Sequence, residues 1–352
     1  MLDRLPPSLL HRILRFAAPL NIGEEWPCPQ PEAYTERRRT LMRICLVNKQ
    51  LCALAQPMLP EVFYVINERQ EQHARKLGKY IKRLKILHRE AAVSATLHGC
   101  TALEEARLGF DRPDAKAMAA VQNVKYLGFH YIIPTSPFFP FFPHLVTLSF
   151  HHVKLAISNA QYFFTSNRFP SLRNLGLGQI IYPAASLDDE KLVTPGVDSA
   201  LAARLRIFIT YDQELVGLQV SSAAFKGILG AIFEVQGPFG GSITPPRQIP
   251  LSHMQFRIPD FEADIFSVLE TYTTAYSTLK TVQLPRRLHP SRAEPDLERA
   301  SETFVEEHQR RGIEILWTEF FDQHDSPLVS PELVDWAVAE HERVAAAAAN
   351  EV

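Results

Sequence analysis

The chain has 352 residues, enough for about two domains and for a substantial core without metal or disulfide staples. A 46% hydrophobic and 22% charged composition excludes a wholly disordered chain, and 37 Lys plus Arg against 39 Asp plus Glu leaves a net charge of −2, with no overall basic field for nucleic acid. Proline (26) outnumbers glycine (15), the reverse of ordinary usage, so short elements bounded by proline are expected and glycine-built sites are not. The start, MLDRLPPSLL, lacks a basic stretch followed by an unbroken apolar core, so no secretory leader is expected. No run reaches the length of an apolar membrane span. Cys28, Cys45, Cys52 and Cys100 form no CxxC pair and no zinc spacing; they read as small buried thiols of a reducing compartment. Cys45 and Cys52 are seven apart and are expected on one helical face.

The first predicted element is a helix over 5–18, LPPSLLHRILRFAA. Pro6 and Pro7 suit a first turn, and Leu10, Ile13, Leu14 and Ala17 recur at three- and four-residue steps, widened by Leu9 and Phe16. A proline-rich break at 19–34 follows. A second helix is expected from Thr35, with Leu41, Ile44 and Cys45 on one face. Asn48 can cap a third, which carries Leu51, Leu54 and Ala55 and ends near Pro57. EVFYVIN at 61–67 reads as a strand.

Three short amphipathic helices bury little by themselves and need a partner or the rest of the chain. The order LPxxLLxxIL, then LxxICLVNK, then a Leu/Ala helix resembles an F-box. The resemblance covers about 60 residues and implies docking on the Skp-type adaptor of a cullin-based ubiquitin ligase. The positions that carry it across are Leu5, Pro6, Leu9, Leu10, Ile13 and Leu14, then Leu41, Ile44, Val47 and Leu51, with Cys45 and Ala55 beside them.

Downstream, the phrase L-x-x-L-x-L recurs with apolar substitutions: Ile81-Leu84-Ile86, Leu103-Ala106-Leu108, Val124-Leu127-Phe129, Leu145-Leu148-Phe150 and Leu172-Leu175-Leu177. Fainter copies fall at Ala202-Leu205-Ile207, Leu251-Met254-Phe256, Leu279-Val282-Leu284 and Ile313-Ile315, with room for another near Leu215, Leu218 and Val220 or in Phe225–Val235. Each phrase alternates as a short strand does, and helix-compatible stretches lie between at 68–81, 114–122, 157–167, 261–276 and 297–312. The clearest copies, FPHLVTLSF and FPSLRNLGL, place proline just ahead of a strand. One strand and one helix per repeat resembles an irregular leucine-rich-repeat domain.

The expected fold is therefore α/β: an F-box-like helical module over 1–66 with an inserted loop at 19–35, an irregular leucine-rich-repeat solenoid over 67–325, and a C-terminal capping helix with a fraying alanine tail over 326–352. Parallel strands would form one face of the solenoid and helices the other. Side chains between the strand leucines would line the sheet face: Arg107, His130, His151, Arg206 and Arg257, with Ser149, Gly176, Gln255 and Gln283. Arginine and histidine there suit an acidic or phosphorylated target. No phosphate loop, nucleophile elbow or HExxH occurs, so neither catalysis nor a cofactor nor a metal is expected.

These features imply a non-catalytic adaptor that joins a Skp-type subunit, and through it a cullin, to an unknown target protein. Nucleic acid and membrane are not expected partners, and the location would be cytoplasmic or nuclear. A repeat scaffold uncoupled from ubiquitination is the alternative, its N-terminal helices serving as a cap. Charge is uneven: residues 1–90 hold 16 basic and 9 acidic side chains, net +7, while 291–352 hold 5 and 15, net −10.

Overall fold

A computed structural model of the chain describes residues 5–18, 31–87, 93–109, 115–130, 140–154, 164–182, 191–192, 197–211, 227–234, 250–258, 265–293, 295–318 and 328–350. Its first helix, α1 (Pro7–Ala17), begins where Pro6 and Pro7 carry no N–H to leave unpaired. The second, α2 (Pro31–Cys45), starts ahead of the expected Thr35, because Pro31 serves as a first-turn residue. The segment 19–30 lies outside the described residues. Asn48 caps α3 (Lys49–Ala55): its Oδ1 accepts from the Leu51 N–H at 2.8 Å. A 3-10 turn over Gln56–Glu61 leads into β1 (Val62–Val65).

Packing divides the chain into two units, one of Met1–Ser158, Asn167–Ser171 and Ile181–Lys191, the other of Asn159–Ser166, Leu172–Ile180 and Leu192–Val352. In the first unit β1 pairs in parallel with β2 (Arg83–Ile86), β2 with β3 (Glu105–Gly109), β3 with β4 (Tyr126–His130) and β4 with β5 (Thr147–Lys154). The register places Leu84, Ala106, Leu127 and Leu148 in one ladder and Ile86, Leu108, Phe129 and Phe150 in the next. All eight are buried, so the alternating phrase marks a core-facing strand side. Helices α4 (Glu68–Leu77), α5 (Val93–His98) and α6 (Ala115–Ala120) pack one on the next as the crossovers that parallel strands require.

The second unit repeats the plan with β6 (Asn174–Tyr182), β8 (Ile207–Tyr211), β9 (Ile228–Glu234), β10 (His253–Arg257), β11 (Thr281–Pro285) and β12 (Glu314–Thr318), each parallel to the next. A two-residue strand, β7 (Lys191–Leu192), lies at the division. Strand β9 falls inside Phe225–Val235, one of the two places where the sequence left room for a copy; the other, at Leu215, Leu218 and Val220, lies outside the described residues. The connecting helices are α7 (Ser199–Ala202), α8 (Ile265–Thr274) and α9 (Pro295–Arg310). Gly312 (φ 74°) takes the left-handed turn that ends α9, and the Ile313 N–H closes back on the His308 carbonyl at 2.9 Å. Of the expected helix at 157–167, residues up to 163 are outside the described set, and Phe164 forms a parallel bridge with Val197 instead of a helical turn.

The C-terminal helix α10 (Pro331–Asn350) stays helical through its alanines, the residue with the highest helix propensity. Its place differs from an end cap. The cluster of Ile207, Ile209, Tyr211, Ile228 and Ile232 joins Leu328, Val329, Leu333 and Ala337, with Leu316, Val334 and Trp336 alongside. Those strand residues alternate with Phe208, Leu229 and Phe233, so they belong to the opposite sheet face. On that other face Tyr272 of α8 packs on Phe233 and Phe256. The sheet is thus covered on both sides at β8 and β9, whose sequences IFITY and ILGAIFE are mostly apolar rather than alternating with solvated polar residues.

Candidate functional site

The N-terminal helices have a core of their own. Leu10, Leu14 and Ala18 meet Leu41, Leu51, Ala55 and Met58, with Leu5, Ile44, Cys45, Leu54 and Leu59 packed against them. Every member comes from residues 5–59, so the module closes on itself without drawing on the repeat strands. It is tied to the first strands through Glu61, a buried carboxylate. Arg15 of α1 donates to both Glu61 oxygens, with Nη1 to Oε2 at 2.6 Å; Arg37 of α2 donates Nη2 at 2.8 Å, and Lys82 stands at 3.5 Å. Arg37 also donates to the Met58 carbonyl at 3.1 Å. Burial lowers the pKa of Arg37, against the pull of Glu61.

The ten adaptor-face residues read from the sequence separate into two sets. Leu10, Leu14, Leu41 and Leu51 are buried in the module core, and Leu5 and Ile44 are half-buried against it. Pro6, Leu9, Ile13 and Val47 are exposed. Leu9 keeps 42% of its surface open, Ile13 43%, Phe16 90%, Leu46 86% and Val47 64%. Leu9, Ile13 and Phe16 recur at i, i+4 and i+7 and form one outward stripe on α1. Leu46 and Val47 occupy the turn that follows α2. Phe16 and Leu46 were absent from the sequence-derived set. The signal for Phe16 was its spacing from Leu9 and Ile13; Leu46 carried no periodic signal.

The candidate target residues are distributed over both units. In the first, Lys85, Arg107, Gly128 and Ser149 stand in one ladder of the face opposite the core, and His130 pairs with His151 in the next. All are buried. The imidazoles of His130 and His151 meet edge to face with centroids 5.2 Å apart. Glu105 lies between two guanidiniums, 3.2 Å from Arg83 Nε and 3.9 Å from Arg107 Nε. Burial raises its carboxyl pKa, with both arginines pulling the other way, and burial likewise lowers Arg83.

In the second unit Arg257 is buried, and its Nη1 donates to the Tyr211 hydroxyl at 2.6 Å. Gln283 donates to Ser330 Oγ at 2.6 Å, directly ahead of α10. Gly176 faces Leu328 so closely that an added Cβ would sit 2.7 Å from the leucine Cβ. Close packing is therefore the role of this glycine. Arg206 is exposed and precedes β8 rather than lying in it. The fold thus brings Arg107, His130 and His151 onto one sheet face, and puts Arg257 and Gln283 on a face that the C-terminal segment occupies.

Cys45 closes α2 and Cys52 lies in α3, so these thiols meet across two helices rather than along one. Burial, then the Cys52 thiol beside it, raises the pKa of Cys45. Burial pushes Cys100 up to about 12. Cys28 is outside the described residues. Among the described residues no group of three or more His, Cys, Asp or Glu is placed to hold a metal ion, and no helix is long and apolar enough to cross a membrane. No protein-family model, curated protein or solved structure matches the chain.

Proposed function

We propose that this chain is a non-catalytic, substrate-recruiting adaptor of a cullin-based ubiquitin ligase. In this reading α1–α3 are an F-box module that docks a Skp-type subunit, and the parallel strand–helix array is an irregular leucine-rich-repeat domain that holds the target. The observation that carries it is the two-sided α1. One side completes the module's own core, while Leu9, Ile13 and Phe16 stay in water on the other. A helix serving only as a cap would turn that second stripe onto the repeats; contiguous apolar exposure marks a partner site instead. On the target side, α10 occupies the second unit's sheet face. The first unit's Arg107, His130 and His151 are buried as well, so they meet a target only where that face opens; their chemistry suits an acidic or phosphorylated one. Such an adaptor would act in the cytoplasm or nucleus, where the ligase resides.

The test is capture of a purified Skp-type adaptor by the full chain. Leu9→Asp with Ile13→Asp is expected to abolish capture and leave the thermal transition unchanged, because both side chains are already half in water. A chain that folds but never captures the adaptor, where an established F-box does, overturns the reading. It would leave the uncoupled repeat scaffold in its place.

A further inference from the structure

The run Arg37-Arg38-Arg39 sends its three guanidiniums to three places. Arg37 turns inward to Glu61 and Met58. Arg39 lies 3.8 Å from Glu36 on its own helix. Arg38 lines a cavity of about 580 Å³ between α2, the turn before β1, β1 itself and α4. That volume is within the range of small-molecule sites. All of its lining lies in the first unit.

The lining is apolar below and cationic at the mouth. Leu59, Phe63 and Leu77 are half-buried and Pro60 is buried, whereas Met42, Arg38, Arg69 and His73 are exposed. Helical spacing explains the grouping: Arg38 and Met42 are one turn apart on α2, and Arg69, His73 and Leu77 follow at i, i+4 and i+8 on α4. The acids described on these helices are engaged elsewhere. Glu36 lies beside Arg39 and Arg43, Glu71 pairs with Arg75, and Glu68 accepts from Gln72. Among the described residues no carboxylate lines the cavity. The His73 Nδ1 lies 2.7 Å from the Arg69 carbonyl. A carbonyl only accepts, so the proton is on Nδ1; Nε2 of the neutral ring is then an acceptor, and the cavity's donors to an anion are the two guanidiniums.

We propose that this cavity binds a small amphipathic anion, a carboxylate or phosphate monoester on an apolar body. Its head would lie against Arg38 and Arg69, and its body against Phe63, Leu59 and Leu77. Two guanidiniums with no acid among the lining residues favour an anionic head over a neutral or cationic one. The half-buried apolar wall favours an apolar body over free inorganic phosphate. The site is separate from the α1 stripe, so it stands or falls independently of adaptor docking.

The test is calorimetric titration of the full chain with decyl phosphate and, in parallel, decanoate, each below its micellar concentration. Saturable one-to-one binding of at least one is expected, and comparing the two tells which head is preferred. Decanol and decyltrimethylammonium are expected to bind at least about tenfold more weakly. Arg38→Gln with Arg69→Gln, and separately the exposed Met42→Glu, are each expected to weaken binding by about tenfold or more. Both should leave the melting temperature and adaptor capture unchanged. Failure of both anions to bind, equal binding of the cationic amphiphile, or undiminished binding by the folded double variant overturns the proposal.

Discussion

Glu61 accepts from Arg15 and Arg37 and lies 3.5 Å from Lys82, so one buried carboxylate gathers three cations from three segments. Glu61→Gln leaves those cations without their counter-charge and is expected to cost about 3 kcal/mol, read from the urea midpoint, since breaking a buried pair exceeds the worth of an exposed one. At Gly176, valine is expected to cost about 1–3 kcal/mol by overpacking against Leu328, where a surface glycine would tolerate it. His253 is fully buried, its Nδ1 2.6 Å from Thr281 Oγ1, and burial holds its pKa down at about 3. Between that value and an ordinary histidine pKa of about 6.5, the unfolded chain takes up a proton that the folded chain refuses. Stability therefore falls as the pH drops through this window, by up to about 1.4 kcal/mol per unit. His308, lowered mainly by burial, adds to the fall. His253→Gln should flatten the urea-stability profile between about pH 6.5 and pH 4; an unchanged slope would assign it to other groups.

At the scale of elements, α10 completes one core cluster of the second unit. Leu333 and Ala337, one turn apart, enter the cluster formed by Ile207, Ile209 and Ile232. Trp336 Nε1 donates to Glu314 at 2.6 Å, and Lys280 reaches Glu340 at 3.4 Å. The Lys280 contact is exposed and adds little, so the apolar contacts hold the helix. Leu333→Ala is expected to cost about 2–5 kcal/mol through the cavity it leaves, measured by denaturant unfolding. The strands and most helices of this architecture were legible in sequence, because alternation and 3.6-residue periodicity are local properties. The strand phrases at Leu84, Leu127 and Leu148 lie in register on one side of the first unit's sheet. What α10 packs against was not legible: Leu333 and Ala337 reveal an apolar side, and nothing in their spacing says which sheet face receives it.

Over the whole molecule, the opposite charges of the two ends have structural settings. The basic N-terminal stretch supplies Glu61 with its cations and Arg38 and Arg69 to the cavity. The acidic C-terminal stretch includes α10, where Glu340 pairs with Arg343 and Lys280. In the proposed function, hydrogen exchange of the full chain upon addition of a Skp-type adaptor is expected to slow in α1 and in the turn after α2. Strands β8–β10 should be unaffected. Protection confined to the second unit would place docking elsewhere and remove the role given to Leu9 and Ile13.

The sequence by itself determined the α/β class, the phase of the strands, the Asn48 cap and the proline-bounded first helix, all products of near-neighbour sterics and hydrogen bonding. Tertiary structure decided the rest. It separated Leu10 and Leu14 from Leu9 and Ile13 on a single apolar helix, and it turned Arg37 inward to Glu61 while its neighbour Arg38 lines the cavity. It also laid α10 on a sheet face that held Arg257 and Gln283 among the candidate target residues. The reason is common to all three. A pattern of apolar and charged residues states that a side chain must be buried or paired, but the partner is supplied by segments tens to more than a hundred residues away.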